Sequence, residues 1–185
     1  MVPPAEAPAP SPPALSLSEW IVLSLVCEGP THGNAVSREV ARSGELGRIW
    51  QVQRGVVYRS LERLTDLGLI RPAGEERSQR GPVRLLVEAT HAGQAAAAVW
   101  QHEPVQHTRD IRSELLVKLA LLDRCGGDPR DLLLAQRTLL VPIAKALDDR
   151  IPFATGFDRT LLLWRSETAA ATVRFLDACL RSVLV

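Results

Sequence analysis

The chain has 185 residues, of which 46% are hydrophobic, and it carries a formal net charge of +1 at pH 7. This length suits one ordinary domain or two small domains that share a core. The near-neutral charge excludes a uniformly basic surface, so any contact with nucleic acid must depend on a local concentration of cations. The three scattered cysteines have neither disulfide-framework nor zinc-site spacing, and we expect no metal or cofactor.

Residues 1–14 are predicted to be a disordered tail rich in proline and alanine. Prolines exclude regular helix there because each lacks an N–H group and restricts the residue before it. The segment has no basic region of the kind that begins a secretory signal. No stretch has the eighteen or more apolar residues of a membrane span, so we expect no membrane contact. The scattered cysteines fit a reducing compartment, and we expect a cytoplasmic protein.

Two helices are predicted after this tail. The first begins with Ser18 as its N-cap and stops before Gly29-Pro30. A turn over residues 31–34 leads to a short second helix that ends at Ser43-Gly44. Their apolar content indicates that both helices pack into a core.

A third helix is predicted from Gln53 to Leu67. One stripe of this helix is apolar and faces a core, with members Val57, Leu61 and Leu64. The opposite face is polar and cationic and carries one aromatic residue, Tyr58. By itself, this pattern is equally consistent with an ordinary solvated helix face.

A β-hairpin is predicted over residues 69–73 and 83–88, with a long basic loop between its strands. Thr90 then caps a helix that runs to Trp100. Three helices followed by a hairpin are typical of a winged helix-turn-helix, which we place over residues 15–100.

Residues 101–185 are predicted to form a helical domain that dimerises. The expected fold class is therefore mainly α with a small β wing. Amphipathic helices are expected at Arg109–Leu122, from Pro129 to about Asp148, and at Phe157–Val185. The last helix carries a long stripe that could pack against a partner helix, and we assign it to the dimer interface: Leu161, Trp164, Thr168, Ala171, Phe175 and Cys179.

The predicted winged helix contains the local cation excess that DNA binding requires. Between Arg48 and Arg84, eight arginines stand against four acidic residues. A recognition helix places its first turns near base edges, and a wing reaches the backbone or the minor groove. The candidate DNA-binding residues are Gln53, Arg54, Tyr58, Arg59 and Arg63 on the helix, with Arg77, Gln79, Arg80 and Arg84 on the wing.

The sequence offers two other candidate sites, a metal site and a ligand pocket. The sequence from His102 to His107 places its histidines five residues apart with a proline between them, so they cannot share one helix face as a metal motif requires. We therefore expect no enzyme. Trp100, Phe157 and Trp164 could line a pocket for a flat aromatic effector, although such residues more often fill a core or a dimer seam.

Several of these segments resemble the PadR family of bacterial transcriptional regulators. The similarity rests on Gly29-Pro30-Thr31-His32-Gly33 between the first helices, on the helix segment Gly55–Ile70 with Tyr58 and Leu67-Gly68-Leu69-Ile70, and on Thr90 with Gly93. Residues 105–133 are similar to the longer helical C-terminal domain of one PadR subgroup. One departure is the wing strand, which has Leu85-Leu86-Val87 where the family usually carries an aromatic residue.

The resemblance implies a homodimer that binds a pseudo-palindromic operator, usually as a repressor, and is released by a small molecule. It does not identify the effector. A ligand-binding or sequestering protein that has lost DNA binding on the same scaffold is the main alternative, because the local charge excess is modest. A protein-interaction module is a third interpretation, which predicts an exposed apolar patch on the C-terminal helices.

Overall fold

A computed structural model describes residues 14–76 and 83–182. Its helices and strands are, in chain order, α1 (Leu17–Cys27), α2 (Gly33–Glu39), α3 (Arg54–Asp66), β1 (Ile70–Glu76), β2 (Arg84–Ala89), α4 (His91–His102), α5 (Leu116–Arg124), α6 (Arg130–Asp148) and α7 (Gly156–Ser182). Short 3-10 or π-helical turns occupy Leu46–Arg48, Thr108–Asp110, Ile111–Leu115 and Ile151–Phe153. The predicted fold class, mainly helical with a small β wing, is confirmed.

Helix α1 begins two residues earlier than the sequence suggested. Ser16, not Ser18, is its N-cap: the Ser16 hydroxyl accepts from the backbone N–H of Glu19, and the Glu19 carboxylate accepts from the backbone N–H of Ser16 at 2.7 Å. This reciprocal capping box satisfies two backbone donors that the helix start would otherwise leave unpaired. Ser18 instead accepts a hydrogen bond from the indole N–H of Trp50 at 3.3 Å.

Helix α2 ends at Glu39, so the predicted end at Ser43-Gly44 is wrong. The chain turns there instead, with the N–H of Gly44 bonded to the carbonyl of Ala41 at 2.7 Å. A Cβ at Gly44 would overlap the carbonyl oxygens at the end of the helix, so glycine permits this tight return.

The hairpin packs against the helices through the Thr90–Gly93 segment. Strands β1 and β2 are antiparallel, with Ile70 opposite Ala89 and Glu76 opposite Arg84. Thr90 caps α4 as predicted: its hydroxyl accepts from the N–H of Gly93 at 3.1 Å and contacts the carbonyl of Gly68 at 2.8 Å. A side chain at position 93 would overlap the carbonyl of Leu69, so this helix start can approach the α3–β1 turn only with glycine.

The interior contains two clusters of buried apolar side chains. The first cluster draws on the elements from α1 through α4 and includes Val117 and Leu121 from α5. The second joins the π-helical turn, α5, α6 and α7, with Leu115 and Leu122 among its members. Helix α5 therefore contributes to both clusters, and the predicted division of the chain at residues 100/101 remains a prediction. Within residues 14–76 and 83–182, no helix is long and apolar enough to cross a membrane.

Candidate DNA-binding interface

Arg54 and Tyr58 lie together on the first turns of α3. They are one helical turn apart, so they share a face. Nη2 of Arg54 lies 3.4 Å from the Tyr58 hydroxyl, and the guanidinium lies 5.5 Å from the centre of the Tyr58 ring. This is the geometry of a cation–π contact. Tyr58 is 40% exposed, so both side chains form an accessible, cationic and partly aromatic surface.

This pair forms one wall of an open cleft of about 390 Å³. The cleft lies between the start of α2, the start of α3 and the first residues of β2. Its lining residues are His32, Gly33, Asn34, Arg54, Tyr58, Val83, Arg84 and Leu85. The fold thus brings the predicted residues Arg54, Tyr58 and Arg84 together at one site.

His32 connects helix α2 to the base of the wing. Its Nδ1 accepts from the backbone N–H of Ala35 at 3.0 Å, so the neutral ring carries its proton on Nε2. Nε2 lies 3.5 Å from the carboxylate of Glu76, and Nη1 of Arg84 lies 3.8 Å from the same carboxylate. His32 is not among the residues predicted for this site from the sequence, although its place before Gly33 at a helix start is a capping position.

Arg63 lies away from this cleft. It is nine residues beyond Arg54, which is two and a half helical turns, so the two side chains leave α3 on opposite sides. Nη1 of Arg63 pairs with Glu19 at 3.1 Å, and Nη2 donates to the carbonyl of Ala14 at 3.1 Å. Arg63 therefore holds α3 against the start of α1, and the structure does not place it with the other candidates.

Burial tends to raise the pKa of the Glu19 carboxyl, but this effect is outweighed. Hydrogen bonds from the Ser16 backbone and hydroxyl, together with the charge of Arg63, hold that pKa below its usual value of 4.5. Glu19 therefore remains ionised at neutral pH.

The remaining predicted DNA-binding residues are not brought into the cleft. Gln53 is the N-cap residue of α3, and Gln53 and Arg59 are exposed outside the cleft lining. Arg77, Gln79 and Arg80 lie outside the described residues. Their contacts with DNA remain predictions.

Trp100 lies in the core, apart from the other two predicted ligand residues. Its ring stacks on Trp20 with 5.2 Å between centroids, and its N–H donates to Glu114 at 3.2 Å. Phe157 and Trp164 are 77% and 70% exposed on α7. Within the described protomer the three side chains do not line a common cavity, because α4 packs into the first cluster whereas α7 packs on α6.

The predicted dimer stripe of α7 lies largely outside the intramolecular core. The face of α7 that packs inward consists of Leu162, Ser166, Ala169, Thr172 and Leu176. Phe157, Trp164 and Ala171 are exposed, Phe175 is 37% exposed, and Leu161, Thr168 and Cys179 are half-buried. Two adjacent faces of α7 are thus apolar, and the protomer covers one of them.

Arg124 attaches α5 to the winged helix through contacts that were not predicted from the sequence. Its guanidinium forms two hydrogen bonds of 2.7 Å with the carboxylate of Glu28 and also contacts Glu39 and Glu45. The paired geometry with Glu28 is the strong form of an arginine–carboxylate contact. These partners lie 79 to 96 residues away in sequence, so no local pattern could have indicated them.

Part of the chain matches a known protein family. Residues 22–99 match the family described as the transcriptional regulator PadR-like family. No curated protein sequence matches the chain.

The chain is also similar to solved structures of PadR proteins. Bacillus subtilis PadR bound to operator DNA shares 18% identity, with 92% of this chain and 99% of that chain covered and a TM-score of 0.45. Bacillus subtilis PadR bound to p-coumaric acid shares 18% identity over 91% of this chain and 96% of that chain, with a TM-score of 0.40. BC1756 of Bacillus cereus, a PadR-like transcriptional regulator, shares 16% identity over 95% and 99%, also with a TM-score of 0.40.

At these identities and TM-scores, individual contacts do not transfer from one protein to another. The sequence match over the winged helix identifies the family, and it confirms the resemblance found in the sequence. Residues 22–99 of the chain match the PadR-like family of transcriptional regulators.

Proposed function

We propose that the protein is a homodimeric repressor that binds a pseudo-palindromic operator through the cleft between α2, α3 and β2. The observation that carries this proposal is the exposed Arg54–Tyr58 pair at the start of α3, facing Arg84 across the cleft. The match of residues 22–99 to a family of transcriptional regulators supports the same function.

The chemistry of the pair suits the surface of a duplex. A guanidinium forms bidentate hydrogen bonds with phosphate oxygens or with the edge of guanine, and a tyrosine offers both a hydroxyl and an apolar ring. Stacking on Tyr58 restricts the Arg54 side chain before binding, which lowers the entropy lost on contact. We assign Arg54 and Tyr58 to groove and phosphate contacts, and Arg84 to backbone contacts from the wing.

Helix α7 supplies the proposed dimer interface. Within its exposed stripe, Phe157 and Cys179 are each eleven residues from Thr168, and Leu161 and Phe175 are each seven residues from it. An antiparallel pair of α7 helices with its two-fold axis at Thr168 would place these residues opposite one another. A two-fold interface is self-complementary, which this spacing permits, and it matches two half-sites of an operator.

A small hydrophobic effector is proposed to release the operator. Phe157 and Trp164 are exposed aromatic side chains at the proposed dimer seam, where a flat ligand could insert. Trp100 would join such a site only if its stack on Trp20 opened. The subgroup with the longer C-terminal domain remains the expected place of this chain within the family.

A salt-dependent mobility-shift assay tests the proposal. The full chain is titrated into DNA from upstream of its own gene and into scrambled DNA of equal length, at several salt concentrations. We expect tighter binding to the upstream DNA and an affinity that falls linearly with salt on logarithmic axes. Absence of binding at low salt would contradict the repressor proposal and favour the sequestering protein instead.

A further inference from the structure

The inner half of the hairpin is attached by its backbone to the segment before α2. The N–H of Thr31 donates to the carbonyl of Val87 at 2.9 Å, and the N–H of Val87 donates to the carbonyl of Thr31 at 2.8 Å. Thr31 thus continues the antiparallel pairing on the free edge of β2. This bridge fixes β2 at Val87 relative to α2.

The outer half of the hairpin, residues 74–76 and 84–86, is separated from this bridge by an irregularity in β1. Pro72 lies opposite Val87 and Gly74 lies opposite Leu86, so β1 has one extra residue between them. Such a bulge bends its strand and interrupts the pairing. Gly74 has φ = +117°, a conformation that side chains rarely adopt. Strand pairing alone therefore leaves the direction of the outer half open to variation.

The carboxylate at the end of β1 lies beside two donors from different elements. One carboxylate oxygen of Glu76 is 3.5 Å from Nε2 of His32 and 3.8 Å from Nη1 of Arg84. These two nitrogens are themselves 3.2 Å apart. Because Nδ1 of His32 already accepts from the N–H of Ala35, Nε2 carries the proton of the neutral ring and cannot accept from Arg84. Both nitrogens are donors, and Glu76 supplies an acceptor to each.

His32 is a firm point of attachment for the outer half. Its side chain is buried, and its bond to Ala35 fixes the ring at the start of α2. The next residue, Gly33, packs closely against the ring of Tyr58 on α3. The contact of His32 with Glu76 therefore relates the outer half of the hairpin to the helix that carries Arg54 and Tyr58.

We propose that His32 and Glu76 are positioning residues that hold the wing at a fixed angle to α3 and thereby increase the discrimination between operator and other DNA. This inference rests on the proposed function. Glu76 directly precedes Arg77, and the loop that follows also contains Arg80. The negative charge of Glu76 repels phosphates, so its contribution to recognition is geometric. A wing held in place loses less conformational entropy when it binds.

Mobility shifts with the upstream DNA and with scrambled DNA test the positioning role. Glu76→Ala should bind scrambled DNA more tightly than the wild type, because a negative charge is lost. Its ratio of affinities for upstream over scrambled DNA should nevertheless fall by about tenfold, the effect of one charged hydrogen-bonding contact.

His32→Asn separates the link from the neighbouring ion pair. Asparagine retains an acceptor for the N–H of Ala35 but has no donor at the position of Nε2, and the contact of Glu76 with Arg84 remains. The ratio should fall by a similar factor in His32→Asn, and the double variant should lose no more than either single variant.

Glu75→Ala is the matched control. It removes the same charge one residue earlier on β1, where the side chain points to the other face of the hairpin. This variant should bind both DNAs more tightly and keep the wild-type ratio. The same behaviour in Glu76→Ala, or an unchanged ratio in His32→Asn, would overturn the proposal.

Hydrogen exchange without DNA separates this proposal from operator binding. The backbone amides of residues 84–89 should exchange about tenfold faster in Glu76→Ala and His32→Asn than in the wild type or Glu75→Ala, with melting temperatures preserved, because local opening of the wing becomes easier. Equal exchange in all four proteins would show that the link does not hold the wing. A wild-type protein that binds no DNA would contradict the proposed function, and the exchange rates would still decide the positioning role.

Discussion

A β-carbon on Gly33 would lie 2.9 Å from Cε1 of Tyr58. The first turn of α2 therefore contacts the tyrosine ring so closely that only glycine fits between them without a shift. Arg54 lies over the same ring, 5.5 Å from its centre. The position of Tyr58 in the cleft thus depends on a residue from a different helix.

Replacement Gly33→Ala should displace the Tyr58 ring and weaken operator binding by about 1 kcal/mol, the size of one lost hydrogen-bonding contact. Stability should change little, because the partly exposed ring can move. A double-mutant cycle with Tyr58→Ala, read by mobility shift, checks the cause. If Gly33 acts through Tyr58, the losses of the two single variants will not add in the double variant.

Arg54 and Arg63 should respond differently to replacement by alanine. Arg54→Ala should weaken operator binding and reduce the slope of log affinity against log salt by about one, since one phosphate contact is lost. Arg63→Ala should leave that slope unchanged, because its guanidinium is bonded to Glu19 and to Ala14. An equal reduction in slope for both variants would contradict this prediction and indicate that Arg63 also contacts a phosphate.

Lys118 should contribute more to stability than the other lysine of the chain, Lys145. Lys118 is 1% exposed, and its ammonium contacts Glu114 at 2.8 Å, the carbonyl of Glu103 at 2.9 Å and the ring of Trp100. Lys118→Met should lower the free energy of unfolding by about 2 kcal/mol, because it leaves these groups without their partner.

Lys145→Met is the matched control. Lys145 is exposed and pairs with Asp149 one turn later on the surface, so its replacement should not change the denaturation midpoint measurably. Similar urea midpoints for both variants would contradict the structural role of Lys118.

Glu19 should make the free energy of unfolding depend on pH in the acid range. Its folded pKa lies below the usual value of 4.5, so the ionised carboxylate adds stability above that pH, and the contribution is lost as pH falls through the folded pKa. Glu19→Gln should therefore cost about 1 kcal/mol at pH 7 and progressively less at acid pH. Urea denaturation from pH 7 to pH 3 measures this difference, and a difference independent of pH would disprove it.

Trp164→Glu should convert a dimer into a monomer, because it places a charge within the proposed α7 seam, one helical turn from the two-fold axis at Thr168. Leu163→Glu is the matched control: Leu163 is 41% exposed, but it points to another side of the same helix. Light scattering after size-exclusion chromatography distinguishes the two. A monomeric wild-type protein, or a dimeric Trp164→Glu variant, would exclude this interface.

The sequence by itself determined the order of elements and the cationic start of α3. Helix stripes, the Thr90 cap and the glycines at turns are local patterns, and the backbone hydrogen bonds that they specify are also local. The sequence was enough to place Arg54 and Tyr58 on the same face of α3, because they are one helical turn apart. The family resemblance rested on the same local segments.

Only the tertiary structure decided which partner each side chain takes. Helical spacing puts Arg63 on a polar face, but its pairing with Glu19 depends on how α1 crosses α3. Helical spacing also puts apolar residues on two faces of α7, but it does not indicate which face α6 covers. It does not predict that Trp100 stacks on Trp20 either. Periodicity defines the faces of one element, whereas burial depends on contacts between elements that are distant in sequence.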